Sequence, residues 1–141
     1  MARTPERSDD LRAMYRRWVD MWNGEFDLAD ELMSPGCRIH LPPNSFRGAA
    51  DLRRMVEMAR APIDGFVFMI EHEPVVEGNR LAARWRITGR YRGGYPGTTA
   101  PAGMGIVFGG IDIWRVEDGK IVEYRVNSDG LRVIVQLDGE T

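Results

Sequence analysis

The chain has 141 residues, 28% of them charged, and a formal net charge of -2. That length suits one domain, 1–141, with a real core and room for a cavity. The charge balance gives no electrostatic case for nucleic acid or a membrane surface. The single cysteine, Cys37, excludes an intramolecular disulfide and fits a cytoplasmic protein. Two histidines, His40 and His72, stand too far apart to favour a His/Cys metal site.

Residues 1–7 are polar and read as a flexible N-terminal segment without an apolar leader. An amphipathic helix follows over 8–22. Ser8 is its expected cap, Asp9 and Asp10 occupy the first turn, and Leu11, Met14, Tyr15, Trp18, Val19 and Trp22 recur at helical spacing. Asn23-Gly24 ends it. A short helix over 27–33 stops at Pro35-Gly36. Residues 37–41 alternate like a short strand, and a loop from Pro42 leads to a third helix over 49–60.

The remainder reads as antiparallel sheet. One strand covers 66–73 and continues through Val76 after a bend at Pro74. Glu77-Gly78-Asn79 makes a turn into a strand over 81–91. A loop rich in Gly, Pro and Thr spans 92–105, and its length marks it as a candidate flap over a pocket mouth. A strand over 106–116, bulged near Gly109-Gly110, turns at Asp118-Gly119 into a last strand over 121–127. A short helix or extended tail closes the chain over 130–137. Helices first and antiparallel strands after them give an α+β architecture.

Two aspartates in the last third stand out. Asp112 interrupts an apolar strand, so it is paired with an arginine such as Arg84 or Arg115, neutral, or functional. A neutral Asp112 in a dry pocket can donate a hydrogen bond to an enolate oxygen. Asp129 ends the last strand, where it either caps a turn or exchanges protons. Arg125 and Asn127 share its strand parity, and Arg125 would hold it ionised. His40 ends the short strand near the expected mouth, whereas His72 belongs on the outer face. Trp18, Trp22, Trp85 and Trp114 stand at core spacing, and Trp18 and Trp114 can serve both as core and as a flat lining for an aromatic ligand. The chain contains eight methionines, which suit an adaptable wall.

The element order, with Arg47-Gly48-Ala49-Ala50-Asp51-Leu52 opening the third helix, resembles the nuclear-transport-factor-two-like fold. Residues 110–123, GIDIWRVEDGKIVE, and Asp129 with Leu131 and Gln136-Leu137 resemble the SnoaL-like polyketide cyclase branch of that superfamily. The resemblance implies a cone-shaped α+β barrel whose three N-terminal helices enclose a pocket, commonly as a homodimer through the sheet. It implies Asp129 as acid/base. It also implies Asp112 beside Tyr15 as an oxyanion partner of the kind found in ketosteroid isomerases.

Departures narrow the activity. The isomerase base should fall near His40 or Leu41, and neither is a carboxylate. The two acids of the limonene epoxide hydrolase branch would fall on Arg86 and Val126, which counts against epoxide hydrolysis. Tyr124-Arg125 replaces the usual His-Trp type of pair.

These readings converge on a cofactor-independent acid/base enzyme of secondary metabolism. It would bind a hydrophobic, carbonyl-bearing metabolite and catalyse aldol-like ring closure or enolisation. Its catalytic set would be Asp129, Asp112, Tyr15 and His40. Trp18, Arg125, Asn127, Trp114 and Trp85 would bind substrate, with no metal. The alternative is a non-catalytic small-molecule binding or interaction module of the same fold.

Overall fold

Helix α1 (Ser8–Trp22) forms on the apolar spacing expected of it, and Leu11, Tyr15, Trp18, Met21 and Trp22 turn inward. Its N-cap is Arg7, one residue before Ser8, and no side chain caps it. Ser8 is therefore the first helical residue and not the cap. At the other end Asn23 pairs with the backbone of Phe68 through both halves of its amide. Its Nδ2 donates to Phe68 O at 2.9 Å, and its Oδ1 accepts from Phe68 N at 2.8 Å. That pair pins the helix terminus to the sheet.

The computed structural model describes residues 7–94, 98–130, 133 and 137. Nearly all of the expected flexible segment 1–7, part of the 92–105 loop and most of the 130–137 tail, including Leu131 and Gln136, fall outside the described residues.

Helix α2 (Leu28–Leu32) runs directly into strand β1 (Met33–Leu41). Pro35-Gly36 therefore lies inside a strand, in the stretch where the β1 register is interrupted between Met33 and Arg38. A cis Pro42-Pro43 bond leads to β2 (Asn44–Arg47), which pairs antiparallel with β1 where a loop was expected. Helix α3 (Gly48–Arg60) follows, with the Arg47 N–H donating back to Asp51 Oδ2 at 2.9 Å.

Four long strands complete the sheet: β3 (Ile63–Glu77), β4 (Arg80–Tyr91), β5 (Gly105–Glu117) and β6 (Lys120–Ser128). The order is β2-β1-β6-β5-β4-β3. Among the described residues, three helices against a curled, unclosed six-stranded sheet make the α+β cone that was anticipated, with β2 and β3 as edge strands where a closed barrel would have none. All pairs are antiparallel except β1 with β6, which is parallel. Parallel neighbours need long connections, so nothing local in the sequence announces this one.

The turns follow their residues. Asp118 and Gly119 both take positive φ, 51° and 75°, the pattern of a two-residue type I′ turn. Strand β3 loses register on both sides of His72, next to the anticipated bend at Pro74. No bulge occurs at Gly109-Gly110, which pair regularly with Arg86 and Trp85. Those glycines provide space instead: a Cβ on Gly110 would sit 2.3 Å from the Trp85 ring.

Candidate active site

Strand β5 decides the site by its alternation. Ile106, Asp112, Trp114 and Val116 are buried on the concave face, and Val107, Ile111 and Ile113 are exposed on the convex one. Asp112 has no solvent exposure and is the buried charged side chain of the described core.

Four donors surround its carboxylate. Tyr15 Oη donates to Oδ2 at 2.8 Å and Trp18 Nε1 to the same oxygen at 3.1 Å. Trp85 Nε1 donates to Oδ1 at 3.1 Å and Tyr124 Oη at 2.9 Å. Tyr15 and Trp18 lie three residues apart on one face of α1. Trp85 and Tyr124 flank Asp112 diagonally, because its direct neighbours are Ala83 on β4 and Val126 on β6. Small Ala83 leaves the space, and bare Gly110 lets the Trp85 indole lie across β5.

A carboxylate has about four lone-pair sites, and all of them are occupied. No cation contacts Asp112 among the described residues; Arg84 pairs with Glu71 and Asp129, and Arg115 with Glu117 and Glu123. The arginine pairing considered for Asp112 is thus replaced by neutral aromatic donors. Burial pushes its pKa up to about 6, while the bonds from Tyr15, Tyr124, Trp85 and Trp18 pull the other way. With two indoles and two phenols turned toward its oxygens, Asp112 stands as an acceptor of hydrogen bonds. The indoles can only donate. Protonation of Asp112 therefore requires Tyr15 or Tyr124 to turn its hydroxyl and accept. Burial, and then the charge of Asp112, pushes both tyrosine hydroxyls upward, which keeps them protonated.

An aromatic wall closes around this cage. Trp114 lies 5.2 Å from Tyr15 and 5.1 Å from Trp18, and Trp18 lies 4.9 Å from Tyr124. The indole N–H groups of Trp114 and Trp22 are buried without an acceptor.

The remaining anticipated residues stand elsewhere. Arg125, Asn127 and Asp129 do share one parity, but it is the convex parity, and all three side chains lie away from the concave core. The Asp129 side chain is 44% exposed and pairs with Arg84 at 3.5 Å. Its N–H donates to Gly109 O at 2.8 Å. Arg125 pairs with Glu123, not with Asp129. His40 also faces outward, with Nε2 3.0 Å from Glu123 Oε2. His72 is exposed on the outer face, as expected. The structure thus brings together Asp112, Tyr15, Trp18, Trp85 and Trp114, and leaves Asp129, His40, Arg125 and Asn127 on the other side of the sheet. Tyr124 was missed as a member of the cage. Its parity with Val126, opposite to Arg125, was the available signal.

The SnoaL-like domain family matches residues 12–124. The chain belongs to the SnoaL-like family. This SnoaL-like protein also superposes on solved structures of the same fold. A protein from Jannaschia, named provisionally as a SnoaL-like polyketide cyclase, is 20% identical, with a TM-score of 0.81 over 100% of this chain and 99% of that one. TsrD from Streptomyces laurentii is 22% identical, with a TM-score of 0.80 over 96% and 99%. A Bacillus cereus protein named provisionally as a polyketide cyclase is 25% identical, with a TM-score of 0.74 over 91% and 80%. Proteins of curated function give no significant match. Among the described residues no group of His, Cys, Asp and Glu is arranged to hold a metal, and no helix is long and apolar enough to cross a membrane.

Proposed function

We propose that this SnoaL-like protein is a cofactor-independent acid/base enzyme that enolises a hydrophobic, carbonyl-bearing metabolite, leading to aldol-like ring closure or isomerisation. One observation supports the reading: a wholly buried carboxylate with no cation beside it among the described residues, held by four neutral donors, of which Tyr15 and Tyr124 can turn their hydroxyls away. In this scheme Asp112 takes a proton from the carbon beside the substrate carbonyl. The C–H bond breaks, an O–H bond forms on Asp112, and the electron pair moves to the carbonyl oxygen. A neutral Asp112 needs fewer donors, so the hydroxyl of Tyr15 or Tyr124 is released to the new enolate oxygen. Returning the proton to another carbon isomerises the substrate; attack of the enolate on a second carbonyl closes a ring.

Trp18, Trp85 and Trp114 line the substrate space in this reading. Asp129 and His40 are assigned to the charged convex face. Deuterium exchange at the α-carbon of 2-tetralone, followed by NMR, tests the chemistry. The wild-type protein is expected to accelerate exchange and Asp112→Asn to return it to the solvent rate. A wild-type rate at background would sink the proposal.

A second reading has its own support. All four acceptor sites of Asp112 are already taken by side chains, as in a structural pin, which fits a non-catalytic binding module. Under that reading Asp112→Asn lowers stability, and the wild-type protein shows no exchange to lose.

The proposal extends to assembly in the cytoplasm as a homodimer through the convex face. Val75, Ala82 and Ile113 form one outward row across β3, β4 and β5, and Ile111 lies on the same face of β5. Val75, Ile111 and Ile113 are 70%, 46% and 45% exposed. Sedimentation at micromolar protein is expected to give twice the chain mass; a monomer refutes it.

A further inference from the structure

The cage around Asp112 is connected to the surface by a run of nearly parallel flat groups. Trp85, which donates to Asp112, stacks on Phe68 at 5.3 Å and 25°. Phe68 stacks on Trp22 at 5.1 Å and 12°, and Trp22 on Phe66 at 6.3 Å and 14°. The run ends at a guanidinium. Arg60, at the end of α3, lies 4.7 Å above the Phe66 ring and 5.5 Å from that of Phe26. Phe26, Arg60 and Phe66 line a cleft of about 400 Å³, together with Glu57, Ile63 and Arg92. That volume lies within the range of small-molecule sites.

The charges in the cleft are unequal. Arg92 is neutralised by Asp64 at 2.7 Å. Arg60 donates one bond, from Nη1 to Trp22 O at 2.7 Å, and no carboxylate pairs with it among the described residues. Glu57 lines the same cleft without forming that pair. A guanidinium carries five N–H donors in a planar fork, so most of those on Arg60 remain open to a planar anion. Trp22, 7% exposed, stacks on the cleft residue Phe66, and its indole N–H is buried without an acceptor.

We propose that this cleft is the recognition point for a planar aromatic carboxylate, and that Arg60 is the specificity-determining residue that reads its anionic group. The ring of such a ligand lies against Phe26, Ile63 and Phe66, and its carboxylate takes the open edge of the Arg60 fork. The inference rests on the reading of the concave interior as a substrate site, since the cleft borders the aromatic packing that reaches Asp112.

The test is binding of 2-naphthoate and of its neutral counterpart 2-naphthalenemethanol, by calorimetry and by ¹⁵N–¹H spectra of the indole N–H groups. Wild-type protein should bind the acid about tenfold more tightly than the alcohol, as one charge-assisted pair contributes, and the Trp22 indole signal should move. Arg60→Gln should bring the two affinities within about twofold of each other. Arg60→Lys should keep part of the preference, which shows that charge and not a damaged fold is responsible. Arg38→Gln, on the convex face and away from the cleft, should leave the preference intact.

Equal affinities in the wild-type protein would overturn the proposal. So would no binding of either compound, a preference that survives Arg60→Gln, or signal changes confined to indoles other than Trp22. The outcome is separable from the chemistry proposed above. Asp112→Asn abolishes exchange in that scheme and leaves the naphthoate preference standing, whereas Arg60→Gln removes the preference whether or not exchange occurs.

Discussion

Strands β5 and β6 handle carboxylates in opposite ways on their two faces. On the concave side Asp112 is wholly unexposed, with no cation beside it among the described residues, and four neutral aromatic groups hold it. On the convex side Glu123 is met by Arg38, His40, Arg115 and Arg125 at 3.0–3.9 Å. Partial desolvation pushes the Glu123 carboxyl up, but the His40 hydrogen bond and the charges of Arg125 and Arg115 outweigh it and hold the group below its ordinary value. Burying a guanidinium beside Asp112 would add a second desolvation penalty. Fixed indole and phenol donors avoid that penalty, but they lower the pKa less than a cation would. The interior acid therefore stays close to neutrality, where proton exchange is easiest, and the outer acid is committed to its charge.

The largest effect should come from emptying the cage. Asp112→Ala strands four buried donors at once, and urea unfolding at pH 7 is expected to show a loss of about 3–4 kcal/mol. Retention of wild-type stability would mean that the four donors find other partners.

The two faces should next separate by pH. The folded pKa of Asp112 is raised from 3.8 to about 6, so the folded chain binds the extra proton between those values. Its contribution is favourable below about pH 4 and is lost as the pH rises through 6, by up to roughly 3 kcal/mol. Glu123 is depressed, so its contribution is present above its ordinary 4.5 and is lost as the pH falls. The stability difference between wild type and Asp112→Asn should therefore favour wild type more at pH 4 than at pH 7. Glu123→Gln should give the opposite slope. Equal slopes would erase the contrast.

Gly110→Ala tests how far the cage depends on backbone space. The added methyl meets the Trp85 ring at 2.3 Å and Asn127 O at 2.5 Å. The Trp85 bond to Asp112 should break, at a cost of about 2 kcal/mol, with a shifted Trp85 indole signal in ¹⁵N–¹H spectra. The smallest change is expected outside. Asp129→Asn removes a half-exposed partner of Arg84, so stability should move by less than about 1 kcal/mol and exchange on 2-tetralone should stay within about twofold of wild type. A collapse of exchange in that variant would return the acid/base role to Asp129.

Helix α1, the type I′ turn at Asp118-Gly119 and the strands β3 to β6 were legible because each is set by local spacing or by residues that tolerate positive φ. Strand β2 was read as a loop, since four residues with one large apolar side chain carry no periodic signal. The early end of α2 was hidden for a related reason. Pro35-Gly36 reads as a helix stop, although a strand edge with interrupted register tolerates it too.

Within the site, composition and parity identified Asp112 as an acid in an apolar strand, and resemblance supplied Tyr15. Parity also grouped Arg125, Asn127 and Asp129 correctly. It could not say which face was the inside, because a period of two is the same seen from either side.

By itself, then, the sequence determined the α+β class, the element order and the presence of a costly carboxylate in strand β5. Only the tertiary structure decided which side of the sheet curls around α1, and with it that Asp112 is buried and Asp129 is not. It also decided that the partners of Asp112 are two indoles and two phenols drawn from α1, β4 and β6. Local propensity acts over a few residues. The four donors span positions 15 to 124 and meet only where packing of α1 against the curled sheet brings them within 3.1 Å of one carboxylate.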